Sequence, residues 1–284
     1  MPELPEVEVV CRSLAPMLIG RKIEAVTFGE RKLRLPLPDR EMSSRVTGRT
    51  VTAVRRRAKF IIIELDSLAL LVIHLGMTGR LGLFPALTQQ AKHDHACWRL
   101  DNGLEMRFND TRRFGSIQVF GSEESATEFF GALGPDPFWA SFTATYLADL
   151  AKGRSLPVKN FLMDNRIVTG IGNIYASEIL FASRVNPTTP AREITAMEWR
   201  KIVMNSRTIL SAAIDCGGST ISDYVNSSGE KGYFQTKLKV YGREHEPCPD
   251  CRGAISQVRL GGRASYYCSR CQPKVRRQKA KKKP

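Results

Sequence analysis

Pro2-Glu3-Leu4-Pro5-Glu6 stands at the head of the chain, and the residues behind it make it the start of a helix. Val7, Val9, Val10, Leu14, Met17 and Leu18 recur at mostly helical spacing over 6–19, and Gly20 ends the run. Pro and Glu are favoured in a first turn, which alone would account for the stretch. A chemical reading stands beside that one. Inside a chain Pro has no N–H, but at a free terminus it is a secondary amine. A small residue at position 2 normally lets Met1 be removed, which exposes that amine. An α-amino group has a pKa of about 8 against about 10.4 for lysine, so roughly a tenth of it is neutral near pH 7. Condensed with an aldehyde carbon, a secondary amine gives a cationic iminium, an electron sink suited to elimination at the next carbon. Glu3 and Glu6 lie beside it as proton carriers.

Outward from this helix, the pattern from Lys22 to about Phe120 is one of strands. Residues 23–28, 51–54, 60–65, 68–75 and 116–120 are the clear cases, and short strands with frequent turn signals predict a β-sandwich. Gly134-Pro135-Asp136-Pro137 reads as a linker. Beyond it, helices are expected at about 143–151, 157–165, 173–183, 192–215 and 219–226. Residues 226–237 lack periodicity and read as a mobile loop, followed by a cysteine-bearing module over 240–272 and a basic tail.

The 284 residues suffice for two domains with real cores, and 42% hydrophobic with 25% charged residues is ordinary for a soluble protein. No apolar run approaches a membrane span, and the acidic, proline-bearing start is not a signal peptide, so a cytosolic location is expected. The net charge of +15 is not ordinary. Without the seven cations of 274–283 it would still be +8. Body and tail are both basic, which points to a polyanion such as nucleic acid or, less specifically, to a protein kept soluble by charge.

Of seven cysteines, Cys248-x2-Cys251 and Cys268-x2-Cys271 stand sixteen residues apart, the spacing of a closed four-thiolate site. Strand-like 254–258 and 264–267 make a hairpin between the pairs. No ligand position is left open, so the metal is structural: zinc, with an iron–sulfur cluster as competitor. His245 is not needed as a ligand. Cys11, Cys97 and Cys216 read as small buried residues.

Other groups are weaker alone. Gly170-Ile171-Gly172-Asn173 before a helix is either a plain turn or a phosphate cradle, with Asn173 as N-cap or phosphate ligand. Arg55-Arg56-Arg57-Ala58-Lys59 is a solvated or phosphate-facing edge, and Lys59 could serve as a base. Arg112-Arg113-Phe114 pairs cations with an aromatic wedge. Met77 is a core residue or an apolar side chain on a turn. His93-Asp94-His95 lacks a third partner for a metal.

Taken in order, these motifs are similar to one family. Pro-Glu-Leu-Pro-Glu at 2–6, Arg-Arg-Ala-Lys at 56–59, Ile-His-Leu-Gly-Met at 73–77, Lys-His-Asp-His at 92–95 and Arg-Arg-Phe-Gly at 112–115 are followed by Leu-Met-Asp-Asn at 162–165. Gly-Asn-Ile-Tyr-Ala-Ser-Glu at 172–178 and Val-Tyr-Gly-Arg at 240–243 then lead to the four-cysteine finger. Together they resemble the bacterial formamidopyrimidine-DNA glycosylases, relatives of endonuclease VIII. Leu4, where endonuclease VIII proteins usually carry Gly, favours the first branch, as does the long loop at 226–237.

The resemblance implies an α+β fold: an N-terminal helix plus β-sandwich domain (1–134), then a helix–two-turns–helix domain with a lesion-capping loop (135–238). A four-cysteine zinc β-hairpin (239–272) and a basic tail (273–284) complete it. DNA would lie in a basic cleft between the halves. It implies a monomeric bifunctional glycosylase and abasic-site lyase, acting on duplex DNA with oxidised purines or abasic sites in the bacterial cytosol. Pro2 would be the nucleophile, Glu3 the general acid, Lys59 a proton donor in β-elimination, and Arg263 the ligand of the damaged-site phosphate and an aid to δ-elimination. Met77, Arg112 and Phe114 would fill the space of the everted nucleotide, with Arg112 reading the orphaned cytosine. His93, Arg113, Arg154, Lys159 and Asn173 would contact DNA, with Glu6 and His74 among the binding residues. The alternatives are a pyrimidine-lesion glycosylase like endonuclease VIII or a non-catalytic zinc-dependent DNA-binding protein on this scaffold. The capping loop departs from the family with Gly229-Glu230-Lys231-Gly232 where Gly-x-Pro-Gly is usual. Arg154 stands where some members have Lys.

Overall fold

The computed structural model describes residues 2–29, 33–218 and 237–274. The expected helix at 219–226, nearly all of the expected capping loop and the tail from 275 lie outside them. The chain forms two units, one of 1–132 with 212–236, the other of 133–211 with 237–284.

In the first unit, α1 (Leu4–Leu18) starts with Glu3 and Glu6 closing a capping box, in which Glu3 N–H donates to Glu6 Oε2 at 2.8 Å. Its buried stripe of Leu4, Val7, Val10, Cys11, Leu14 and Leu18 faces the sheets. Strand β1 (Ile23–Phe28) and the helical turns α2 (Asp39–Glu41) and Met42–Val46 precede β2 (Val51–Arg57), β3 (Phe60–Leu65) and β4 (Leu70–His74). Then come β5 (Arg80–Pro85), β6 (Asp94–Leu100), β7 (Leu104–Asn109), β8 (Ser116–Phe120) and α3 (Glu123–Phe130). All pairings are antiparallel, in two four-stranded sheets ordered β1-β6-β7-β5 and β2-β3-β4-β8. The sandwich expected from the sequence is therefore present. Its core joins α1 to both sheets, with Ile61, Ile63, Leu71 and Ile73 packed in one cluster with Trp98, Met106 and Phe108.

Three strands, β5 to β7, escape the sequence reading. Burial along β6 is nearly continuous, so the polar alternation that marks a half-exposed strand is missing. In β5, Gly82 and Pro85 weaken the pattern. Arg55, expected at a solvated edge, pairs with Glu64 and with Glu123 at 2.8 Å.

The second unit holds α4 (Ala144–Ala151), α5 (Val158–Leu162), α6 (Asn173–Ala182), a 3-10 turn (Ala191–Glu193) and α7 (Ala196–Asp215), whose last residues fall to the first unit. Helix α6 is buried on all sides from Ile174 to Phe181, which makes it the centre of this unit. Trp199, Ile202, Ser206 and Leu210 give α7 its inward stripe. Strands β9 (Ile255–Leu260) and β10 (Arg263–Cys268) form the finger hairpin, slightly longer than the sequence suggests. No helix among the described residues is long and apolar enough to cross a membrane.

Candidate active site

At the head of α1, Pro2 is buried and Glu3 and Glu6 are 2% and 1% exposed. Glu6, expected among the DNA-binding residues, is held inside, where its carboxylate accepts from the N–H of Glu3, the N-cap of α1. Gly218 lies against it: a Cβ there would come 3.2 Å from Glu6 Cγ, and its φ of +82° already favours glycine. Two residues further on, Glu8 accepts from Arg56 Nε at 2.9 Å, and the same guanidinium donates to Ala58 O at 3.0 Å. Those bonds fix the two-residue turn Ala58-Lys59 between the paired residues Arg57 and Phe60, with Ala58 at φ 57°. Lys59 is 7% exposed.

His74 pairs across the sheet with Phe60, next to Lys59. Its Nδ1 accepts from Gly76 N–H at 3.1 Å, which leaves the proton on Nε2. Burial first, then the charge of Lys59, depress its pKa to about 4, against an opposing pull from Asp110. Its imidazole is neutral at physiological pH and presents a donor.

The residues expected to fill the space of an everted nucleotide occupy two loops of the same unit. Met77 is 39% and Phe114 44% exposed, so Met77 is not a core residue. Arg112 is exposed too, its guanidinium carbon 4.9 Å from the centre of the Phe114 ring. Arg113 takes φ 60°, and its carbonyl accepts from Arg34 N–H at 3.1 Å. His93 is half-buried just before β6; its neighbour His95 is fully buried, with Nε2 2.8 Å from the Asp110 carbonyl. The two do not form a metal site: the four finger cysteines are the sole candidate group among the described residues.

In the second unit, Gly172 caps α6 and Asn173 is its first residue, not its N-cap. The Asn173 amide oxygen accepts from the Lys159 ammonium at 2.6 Å. Lys159 is 1% exposed and also donates to Ala264 O at 3.0 Å and Ser265 Oγ at 2.7 Å. Expected as a DNA contact, this lysine instead has its charge inside the fold, tying α6 to the strand that begins with exposed Arg263. Arg154 is exposed, 5.7 Å from the Phe161 ring. Glu178, which the sequence reading passes over, accepts from Lys239, Val240 and Tyr241 N–H at 2.8–2.9 Å. Burial pushes its pKa up, and those three amides oppose the shift.

The sulfurs of Cys248, Cys251, Cys268 and Cys271 all lie within 4.8 Å of one another, with Cys248–Cys271 at 3.8 Å and Cys251–Cys268 at 3.4 Å. Zinc–sulfur bonds of about 2.3 Å set the edge of a tetrahedron near ~3.8 Å, so the four thiolates fit one closed structural zinc. His245 is exposed and outside this group.

The model of the formamidopyrimidine-DNA glycosylase N-terminal domain matches residues 1–117, the H2TH domain of the same enzyme 133–225, and the zinc finger found in FPG and IleRS 246–274. The formamidopyrimidine-DNA glycosylase of Stutzerimonas stutzeri is 44% identical over 96% of this chain and 100% of its own.

This chain belongs to the formamidopyrimidine-DNA glycosylase family.

The family's enzyme from Vibrio atlanticus is 42% identical over the same shares. Among solved structures, Lactococcus lactis Fpg in complex with abasic-site DNA superposes with a TM-score of 0.88 at 28% identity, covering 96% of this chain and 100% of that one. A variant of that protein with Fapy-dG-containing DNA gives 0.90 over the same shares, also at 28% identity. The MutM (FPG) protein of Thermus thermophilus gives 0.84 at 34% identity, again over 96% and 100%. Of the site residues expected from the sequence, Pro2, Glu3, Glu6, Lys59, His74, Met77, His93, Arg112, Arg113 and Phe114 fall in the first unit. Arg154, Lys159, Asn173, Arg263 and the four cysteines fall in the second.

Proposed function

We propose that this chain is a base-excision repair enzyme: a bifunctional DNA glycosylase and abasic-site lyase that removes 8-oxoguanine and formamidopyrimidines from duplex DNA. Full-length similarity to curated formamidopyrimidine-DNA glycosylases supports the activity. The observation that carries the chemistry is the N-terminal corner, where Pro2 precedes two buried carboxylates on a capped helix.

In this reading the target nucleotide is flipped out, because C1′ is shielded in a duplex. The Pro2 nitrogen attacks C1′, the glycosidic bond breaks, and the base leaves with a proton. Glu3 protonates the ring oxygen as the sugar opens, which leaves a cationic iminium. Loss of a C2′ proton expels the 3′ phosphate, with Lys59 as proton donor. A second elimination expels the 5′ phosphate, aided by Arg263 on the damaged-site phosphate. Hydrolysis returns Pro2.

Met77, Arg112 and Phe114 fill the vacated space, and Arg112 reads the orphaned cytosine. His93, Arg113, Arg154, Asn173 and His74 contact the backbone. Glu6 and Lys159, both buried, position neighbours that meet DNA. The four thiolates hold zinc, which braces the hairpin. The enzyme works as a monomer in the bacterial cytosol.

Cleavage of an 8-oxoguanine·cytosine duplex tests this. Expected are free 8-oxoguanine and a one-nucleotide gap with phosphate at both ends, and no cut in a matched duplex. A specific observation favours pyrimidine lesions as additional substrates, since Lactococcus lactis FPG is also solved with an oxidised-pyrimidine DNA. Cleavage of pyrimidine lesions alone would replace the purine assignment.

A further inference from the structure

Asp110 has no exposure, and nothing in the chemistry above uses it. Its carboxylate lies under two loops. Oδ1 accepts from the Thr78 hydroxyl at 2.5 Å and from Arg112 N–H at 3.2 Å, while Oδ2 accepts from Gly115 N–H at 2.8 Å. Arg112 N–H is shared with Thr78 Oγ1 at 3.1 Å. The backbone of Asp110 is held as well: its N–H donates to His93 O at 3.1 Å, and its carbonyl accepts from His95 Nε2 at 2.8 Å.

Thr78 belongs to the turn that presents Met77. Arg112 and Gly115 bracket the loop that presents Arg112 and Phe114. The two backbones touch directly. A Cβ at Gly76 would come 2.5 Å from Gly115 N and from the Phe114 carbonyl carbon. A Cβ at Gly115 would come 2.6 Å from the Phe108 ring and 2.8 Å from His74 O.

We infer that Asp110 is a positioning residue that fastens the Met77 turn and the Arg112–Phe114 loop into one rigid wedge, so that three side chains enter the duplex as a unit. An ionised carboxylate only accepts, and among the described residues each of its donors (Thr78 Oγ1, Arg112 N–H and Gly115 N–H) lies on one of those two loops. Fixing the loops before binding removes the ordering cost that each side chain would otherwise carry. An amide in place of the carboxylate turns one acceptor into a donor that faces an N–H or O–H.

The inference rests on the reading that Met77, Arg112 and Phe114 occupy the vacated space. It is tested with two substrates in single turnover: an 8-oxoguanine·cytosine duplex, which needs the wedge, and a single-stranded abasic oligonucleotide, which has no void to fill. Asp110→Asn is expected to lower the duplex-to-single-strand rate ratio by about 10- to 100-fold, the cost of a small misplacement of positioning groups. Thr78→Val, which keeps the side-chain shape, should move the ratio the same way, and Thr78→Ser should restore it. Adding Phe114→Ala to Asp110→Asn should cost little more, since both act through one wedge. Parallel loss on both substrates, no loss on either, or full additivity with Phe114→Ala would overturn the inference. If the unaltered chain excises nothing, the functional reading falls and amide exchange decides the inference alone. Arg112 and Gly115 N–H should be protected in the unaltered chain and exchange faster in Thr78→Val; equal exchange in the two would overturn it.

Discussion

Lys159 donates to Asn173 Oδ1 at 2.6 Å from a position that is 1% exposed, and also to Ala264 O at 3.0 Å and Ser265 Oγ at 2.7 Å. One buried ammonium thus fixes both the first residue of α6 and the strand that begins with Arg263.

Lys159→Met is therefore expected to weaken binding to lesion DNA even though the ammonium is inside the fold. Losing hydrogen bonds of this kind costs about 1–3 kcal/mol where partners stay buried. In a double-mutant cycle with Asn173→Ala, binding should show a coupling of about 0.5–3 kcal/mol. Additive losses, measured by titration of a labelled abasic-site duplex, would mean that the two residues act separately.

Zinc removal should act locally. Cys248 and Cys268 pack with Phe181, Val240 and Ile255 in a small cluster separate from the sandwich core. Chelation, or Cys268→Ser, is expected to loosen the hairpin and weaken DNA binding while the core around Trp98 and Phe108 keeps its slow amide exchange. Global unfolding on chelation would contradict this.

The depressed pKa of His74 predicts a pH dependence. The folded form titrates near about 4, the unfolded form near about 6.5. Between those values the unfolded chain binds more protons. The His74 contribution is intact above pH ~6.5 and is lost as pH falls toward ~4, by on the order of 2–3 kcal/mol. Urea midpoints of the unaltered chain should fall more steeply over that window than those of His74→Gln. Parallel curves would mean that the imidazole titrates normally when folded.

Arg263→Ala should lower strand cleavage without loss of fold, since its side chain is exposed at the hairpin turn. The expected readout is a weaker salt dependence of DNA binding, its slope reduced by about one phosphate contact, with an unchanged melting temperature. An unchanged slope would remove Arg263 from the phosphate contacts.

What could be read from the sequence follows from how local each signal is. The helix at 4–18 announces itself through proline, glutamates and apolar spacing, and the four cysteines through spacing alone. Strands β6 and β7 do not, because burial on both faces erases alternation. The buried charges are the deeper gap. Lys159 finds Ser265 across 106 positions, Glu178 finds Val240 across 62, and Asp110 finds Thr78 across 32. No window of sequence contains both partners, so Lys159 is expected at the DNA and Asp110 and Glu178 pass unnoticed. Glu6 is legible as a first-turn acid, but Gly218, which lies against it, is over two hundred residues away.

Borohydride trapping tests the central claim most directly. The sample is the full chain with Met1 shown by intact mass to be absent, incubated with an 8-oxoguanine·cytosine duplex under reduction. The account predicts a covalent protein–DNA adduct, with the crosslink mapped by peptide mass spectrometry to the Pro2 nitrogen and most of the signal lost in Pro2→Gly. A processed, folded sample that yields no adduct with this duplex or with abasic DNA, or an adduct mapped to a lysine instead, would contradict it.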